Sequence, residues 1–177
     1  MILDSFCLRV MDMNSKVTIR AALETDRDEW LRMRFALWPN CSPERHALEV
    51  EQLTSDAGRG VVLIALREDM SLCGFAEVSV RHDHVDGAKS VPVAYLEGWY
   101  VDPDVRQRGI GRKILEAVED WSEERGLTEL ASDAELDNQE SIAAHRSCGF
   151  AETCRAVHFI RRIGSDKDPN SFGEEPG

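Results

Sequence analysis

A knot of arginines and glycines, R-x-x-G-x-G from Arg106 to Gly111, stands between a β-branched run that ends at Pro103 and an amphipathic segment that begins near Ile110. A strand, a glycine turn and a helix start in that order point several unpaired backbone N–H groups at one spot, and an anion belongs there. Gly109 and Gly111 lack the Cβ atoms that would block close approach, while Arg106, Arg108, Arg112 and Lys113 add positive charge beside the helix dipole. The expected occupant is a pyrophosphate. The pattern is neither G-x-G-x-x-G nor the P-loop form ending in G-K-S/T, which counts against dinucleotide and nucleoside triphosphate sites. Glu97 interrupts an apolar run, where a carboxylate without a partner is seldom structural. In "RHDHVDG", His82 and His84 alternate beside Asp83 and Asp86, but no further His or Cys at ligand spacing supports a metal.

The elements that must position these groups follow from periodicity. "VTIRAAL" (17–23) predicts a strand, and Thr25 with Asp28 is spaced as a capping box for a helix that stops at Trp38-Pro39. Ser42-Pro43 predicts the start of a second helix running to about Leu53. "GVVLIALRE" and "SLCGFAEVSVRH" predict a hairpin, and "VPVAYLEGWYV" (91–101) a further strand with Gly98 at a bulge or close approach. Ile110, Ile114, Leu115, Val118 and Trp121 recur at helical spacing and Gly126 supplies the stop. A short strand at 128–132, a helix over "NQESIAAHRSCG" and a last strand at "AVHFIRRI" complete an alternation that calls for a mixed sheet with helices on its faces.

Composition narrows the function classes. The 177 residues suit one domain, expected over 17–163, with flexible extensions at 1–16 and 164–177. No apolar run approaches the ~18 residues of a membrane span, so no membrane partner is expected. A net charge of −12 argues against nucleic acid and for a cationic partner. The first residues lack the basic n-region of a signal peptide, and five scattered cysteines form no disulfide framework or zinc pattern, so a cytoplasmic location is expected.

"VDPDVRQRGIG" resembles the acyl-CoA signature of the GNAT N-acetyltransferases, Q/R-x-x-G-x-G/A, met by Arg106, Gly109 and Gly111. "DNQESIAAHRSCGF" is similar to that superfamily's second motif, an Asn opening a helix that ends in Gly-Phe. The resemblance implies an α/β (α+β) fold whose mixed sheet is splayed between the strands at 93–101 and 128–132, with acetyl-CoA in the gap and no metal. It implies pantetheine pairing along Trp99, Tyr100 and Val101, and the pyrophosphate on Arg106, Gln107, Arg108, Gly109, Ile110, Gly111 and Arg112, with Asn138 and His145 beside the coenzyme. A backbone N–H near Trp99 would polarise the thioester carbonyl.

"LWPN", "FAEVSVRHDHVDG", "YLEGWYV", "ASDAELDNQESIAAHRSCGFAET" and "VHFIRR" together resemble the aminoglycoside 6′-N-acetyltransferases, in particular their chromosomal, dimeric type. That resemblance implies an aminoglycoside substrate, antibiotic resistance and a homodimer. An alkylammonium must lose a proton before it attacks a thioester, and Glu97 and Asp133, on the two flanking strands, are the candidate bases. A polycation needs further anionic contacts, for which Glu77, Asp83, Asp86 and Glu152 join Glu97 and Asp133, with Trp38 covering a sugar ring. Many GNAT enzymes place a tyrosine acid in the second-motif helix; here that position is His145, and either His145 or water is left as the acid. Acetylation of a polyamine or peptide amine, and a non-catalytic acyl-CoA or drug-binding module, are the competing readings.

Overall fold

The computed structural model describes residues 17–55 and 59–161. The expected extensions at 1–16 and 164–177 lie outside the described residues. Five strands, β1 (Thr18–Ala21), β2 (Gly60–Leu66), β3 (Leu72–Arg81), β4 (Val93–Val101) and β5 (Leu130–Ser132), lie side by side in chain order in one sheet. The first four are antiparallel and β5 runs parallel to β4. Helices α1 (Arg27–Leu37) and α2 (Pro43–Ser55) fill the connection from β1 to β2, α3 (Ile110–Glu123) crosses from β4 to β5, and α4 (Gln139–Ser147) follows β5.

Both faces of the sheet are covered, which is why "GVVLIAL" is apolar throughout rather than alternating. Leu63, Ala65, Val78 and Leu96 pack under Ile110, Ile114 and Val118 of α3. Val62, Ile64, Leu66, Phe75 and Tyr100 pack under Trp30 and Met33 of α1 and Val50 of α2. The amphipathic period of α3 buries Ile110, Ile114, Leu115, Val118 and Trp121 as its spacing predicts.

Two features of β4 create the site. Glu77 pairs with Gly98 but its neighbour Val78 pairs with Leu96, so Glu97 is an extra residue in the ladder, a β-bulge. The bulge reverses the side-chain alternation: Leu96 faces α3, while Gly98 and Tyr100 face α1 and α2. On the other edge, β5 pairs with β4 only through Ala94–Leu130, Tyr95–Ala131 and Leu96–Ser132. Beyond that point the two parallel strands part, as expected for the splayed sheet, and the backbone edge of β4 past Leu96 has no β5 partner.

Two local expectations are corrected. The first helix is not opened by a Thr25–Asp28 capping box: Asp26 closes a short 3-10 turn (Glu24–Asp26) by accepting from the Leu23 N–H at 2.7 Å, and Arg20 binds the same carboxylate. The expected last strand at "AVHFIRRI" is not formed over its described part, 156–161, where the chain has no regular structure and is exposed; its last two residues lie outside the described residues. Its β-branched pattern has no strand beside it to pair with, and an isolated extended segment does not hold its backbone hydrogen bonds alone.

Candidate active site

The bulge leaves Glu97 unpaired in the ladder, its side chain held by Ser79 and Arg81 of β3, and Asp133 follows directly on the last paired residue of β5. The two carboxylates are joined through one cluster. Ser79 donates to Glu97 Oε1 at 2.5 Å, and Arg81 binds both Glu97 oxygens, at 3.2 and 2.8 Å. The Arg81 guanidinium lies 3.2 Å over the ring of Tyr95, whose hydroxyl donates to Asp133 Oδ1 at 2.5 Å. Burial and the adjoining Asp133 carboxylate push the Tyr95 hydroxyl far above its ordinary value, so it stays a proton donor to Asp133. Arg81, Tyr95, Asp133, Ser132 and His145 line one cleft of about 990 Å³.

At the near end of α3 the backbone is built as the glycine pattern requires. Gly109, the N-cap, has φ 81°, a left-handed conformation that a side chain would strain, and no side chain caps the helix. Gln107 also has positive φ, at 61°. The first-turn N–H groups have no intrahelical acceptors, so the turn offers a cradle of donors to an anion. The charge around it differs from expectation. Arg106 donates from Nε to Val101 O at 2.9 Å and pairs with Glu140 at 3.0 Å, and Arg112 donates to Ser147 O at 2.5 Å, so both side chains brace β4 and α4. Arg108 is exposed beside the turn.

The donor set fits coenzyme A. Main-chain N–H groups at the start of α3 suit its pyrophosphate, and the free edge of β4 suits an amide-bearing arm. Trp99 Nε1 is the one buried side-chain polar atom without a partner among the described residues. Its indole lies against Gly111 and meets His145 edge-on at 5.6 Å, between the anion cradle and the cleft.

His145 is held on α4 by a bond from Nδ1 to the Ser141 carbonyl at 2.8 Å; a carbonyl only accepts, so Nδ1 carries the proton. Nε2 sits 3.0 Å from Ser132 Oγ, which itself reaches Leu96 O at 3.1 Å. His145 therefore borders the point where β4 and β5 separate. Asn138 serves α4 directly, its side chain accepting from Ser141 N at 2.9 Å.

Of the remaining candidates, Asp86 and Glu152 line the same cleft as Asp133, while Glu77 and Trp38 lie behind the sheet under α1 and α2. Glu77 is corrected: it shares the face of Phe75, is 2% exposed, and is bound by the Trp30 indole N–H at 2.8 Å and Arg34 at 2.5 Å, so it holds α1 to the sheet and meets no substrate. Burial raises its carboxyl, against the pull of Arg34 and Trp30. Trp38 is half-buried beside Phe75 and His46 and lies so close to Gly98 that a Cβ there would come within 2.4 Å of Cη2. It therefore backs the bulge. Asp83 and Asp86 are exposed on the loop after β3, Asp86 3.3 Å from His84 Nε2. Glu152 is ion-paired with Arg146 and Arg155, which holds its carboxyl down at about 2. Among the described residues, one trio could supply metal ligands, Cys41, His46 and Glu49. Arg34 is bound to both His46 and Glu49, and a second cation there would be repelled.

Sequence reasoning missed Ser79, Arg81, Tyr95 and Ser132. A signal existed for three of them: Ser79 and Arg81 alternate on the strand that pairs with "AYLEG", and Tyr95 stands directly opposite Ser79.

Comparison with known proteins identifies the family. Residues 24–150 match the model of the acetyltransferase (GNAT) family. The chain is 44% identical over 145 residues to an aminoglycoside N(6′)-acetyltransferase type 1 of Stenotrophomonas maltophilia, covering 82% of this chain and 93% of that protein. It is 40% identical over 153 residues to the enzyme of the same name from Klebsiella aerogenes, covering 85% and 100%. Among solved structures, the aminoglycoside antibiotic 6′-N-acetyltransferase AAC(6′)-Ih from Acinetobacter baumannii superposes with TM-score 0.78 at 38% identity, covering 84% of this chain and 99% of that one. AAC(6′)-Iy, in complex with the bisubstrate analogue CoA-S-monomethyl-acetylneamine, gives TM-score 0.78 at 36% identity, covering 84% and 100%.

Proposed function

The chain belongs to the GNAT acetyltransferase family, and on that premise we propose that it moves acetyl from acetyl-CoA to the 6′-amine of an aminoglycoside, conferring resistance to the drug. The observation that carries the reading is Asp133, which lines the cleft where β4 and β5 part and is linked through Tyr95 and Arg81 to Glu97, in a fold that also presents a cradle of helix-start donors. Acetyl-CoA supplies an activated thioester. The first turn of α3 and Arg108 hold its pyrophosphate, and the free edge of β4 from Trp99 to Val101 aligns its arm. A main-chain N–H at the Glu97 bulge, outside the ladder to β3, donates to the thioester oxygen as charge builds there. Glu97 and Asp133 attract the ammonium and, directly or through a water, take its proton. The departing sulfur takes its proton from water or from Nε2 of His145, which has one to give only when the ring is doubly protonated, because Nδ1 holds the proton of the neutral form.

The reading is tested by mixing the protein with acetyl-CoA and kanamycin or tobramycin and measuring release of the CoA thiol. Turnover with spermidine or a lysine peptide and none with the antibiotics overturns it.

The same proposal includes a homodimer in the cytoplasm. Val157, Phe159 and Ile160 are 71%, 92% and 82% exposed in the single chain, an apolar strand-like run that a second copy would cover. Cys41, Cys73, Cys148 and Cys154 are free thiols, as a reducing compartment would keep them. Light scattering on the purified chain reads the assembly: the mass of two chains supports it, and that of one chain at micromolar concentration removes it.

A further inference from the structure

The cluster that joins Glu97 to Tyr95 contains a positive charge where the proposed substrate should bring one. Arg81, the last residue of β3, grips Glu97 through two nitrogens at 3.2 and 2.8 Å and lies 3.2 Å over the Tyr95 ring. A carboxylate beside an aromatic face is the combination that selects an organic cation, by Coulomb attraction on one side and the ring quadrupole on the other. Here both are already engaged by the protein's own guanidinium.

Two further observations fit an exchangeable contact. The side chains of Arg81 and Glu97 remain 40% and 34% exposed, whereas those of the buried pair Arg34–Glu77 are 2% and 3% exposed and beyond the reach of any ligand. The other arginines lining the cleft, Arg146 and Arg155, are both committed to Glu152 and leave Glu97 to Arg81.

We propose that Arg81 is an internal stand-in for a substrate ammonium, a specificity-determining residue that an incoming polycation displaces from Glu97 and the face of Tyr95. The inference rests on the aminoglycoside reading. Displacing Arg81 is a constant cost in every complex. A ligand with one ammonium exchanges one ion pair for another and gains little. A ligand with three or four also reaches Asp133 and the other carboxylates of the cleft and offsets the exchange. Arg81 thereby sets a threshold of charge below which amines bind poorly.

The test is calorimetric titration of the CoA-loaded enzyme with tobramycin, for wild type, Arg81→Gln and Arg81→Lys, beside steady-state kinetics. Removal of an exposed ion-pair competitor should lower the Kd and KM for tobramycin about two- to fivefold in Arg81→Gln, and leave the KM for acetyl-CoA unchanged. The gain should shrink at high salt. Arg81→Lys, which keeps the cation, should stay near wild type. An unchanged or raised Kd in Arg81→Gln overturns the inference. A measurement on the unaltered enzyme covers the case of a variant that does not fold. The NMR signal of the Arg81 Nε–H, identified by its loss in Arg81→Lys or by selective labelling, should move on saturation with tobramycin, and a signal that stays in place overturns the inference equally. A wild-type enzyme that releases no CoA thiol with any aminoglycoside removes the functional reading itself. An active wild type with no gain in Arg81→Gln removes only the role of Arg81.

Discussion

Glu97 and Asp133 were singled out for the same chemistry, yet the groups around them differ. Glu97 accepts from a serine hydroxyl and a guanidinium, and Asp133 accepts from the Tyr95 hydroxyl. In Glu97→Gln and Asp133→Asn the shape is kept and the proton acceptor is lost. Each substitution should lower kcat with tobramycin by about 100-fold or more while CoA affinity, read by titration, stays within about twofold. Unchanged rates in both variants would leave the cleft without its base. Glu77 shows how little residue type alone reveals: two positions before Ser79 on the same strand face, it lies under α1, where Trp30 and Arg34 bind it.

Gly109 is the N-cap of α3, and its conformation controls how the first-turn N–H groups of the helix point toward the proposed pyrophosphate seat. At φ 81° a β-branched side chain is strained. Gly109→Val should therefore raise the KM for acetyl-CoA about tenfold or more, with a smaller loss of thermal stability of about 1 to 2 kcal/mol. Comparing KM with the melting temperature separates a damaged cradle from a generally weakened helix. The bulge in β4 is the second such device. It sets Glu97 against Ser79 and Arg81 and Gly98 against Trp38, so one inserted residue ties a carboxylate to the arginine that lines the cleft and seats the indole behind it.

Across the protein, one edge of the sheet carries the chemistry and the other carries an electrostatic clasp. Arg20 on β1 binds the Asp26 carboxylate through two nitrogens at 2.6 and 2.9 Å, and these bonds hold Asp26 below its usual value. A carboxylate depressed in the folded state contributes stability that is fully present above the unfolded pKa of about 4 and is lost as pH falls through the folded value. Asp26→Asn should therefore cost about 1 to 3 kcal/mol near neutral pH. The gap from wild type should close as the solution is acidified below about pH 4. Urea denaturation at neutral and at acid pH reads both; a gap independent of pH would show that the ion pair contributes nothing.

The nest before α3, the helix spacing from Ile110 to Trp121, the hairpin and the two motifs resembling an acetyltransferase were legible from residue order, because glycine φ, helical period and cap chemistry act over a few neighbours. The strand expected at 156–163 failed for the complementary reason: β propensity states a preference, and pairing needs a partner that local pattern does not provide. The same limit governs the acidic residues. A bulge at Glu97 reverses alternation in β4, so whether a carboxylate meets solvent, substrate or core depends on register with β3 and on which face α1 covers. That is why Glu77 is buried, why Arg106 and Arg112 brace their neighbours rather than the anion cradle, and why Arg81 and Tyr95 stand between the two candidate bases. These contacts join β3, β4 and β5 across long stretches of chain, and folding alone brings them within bonding distance.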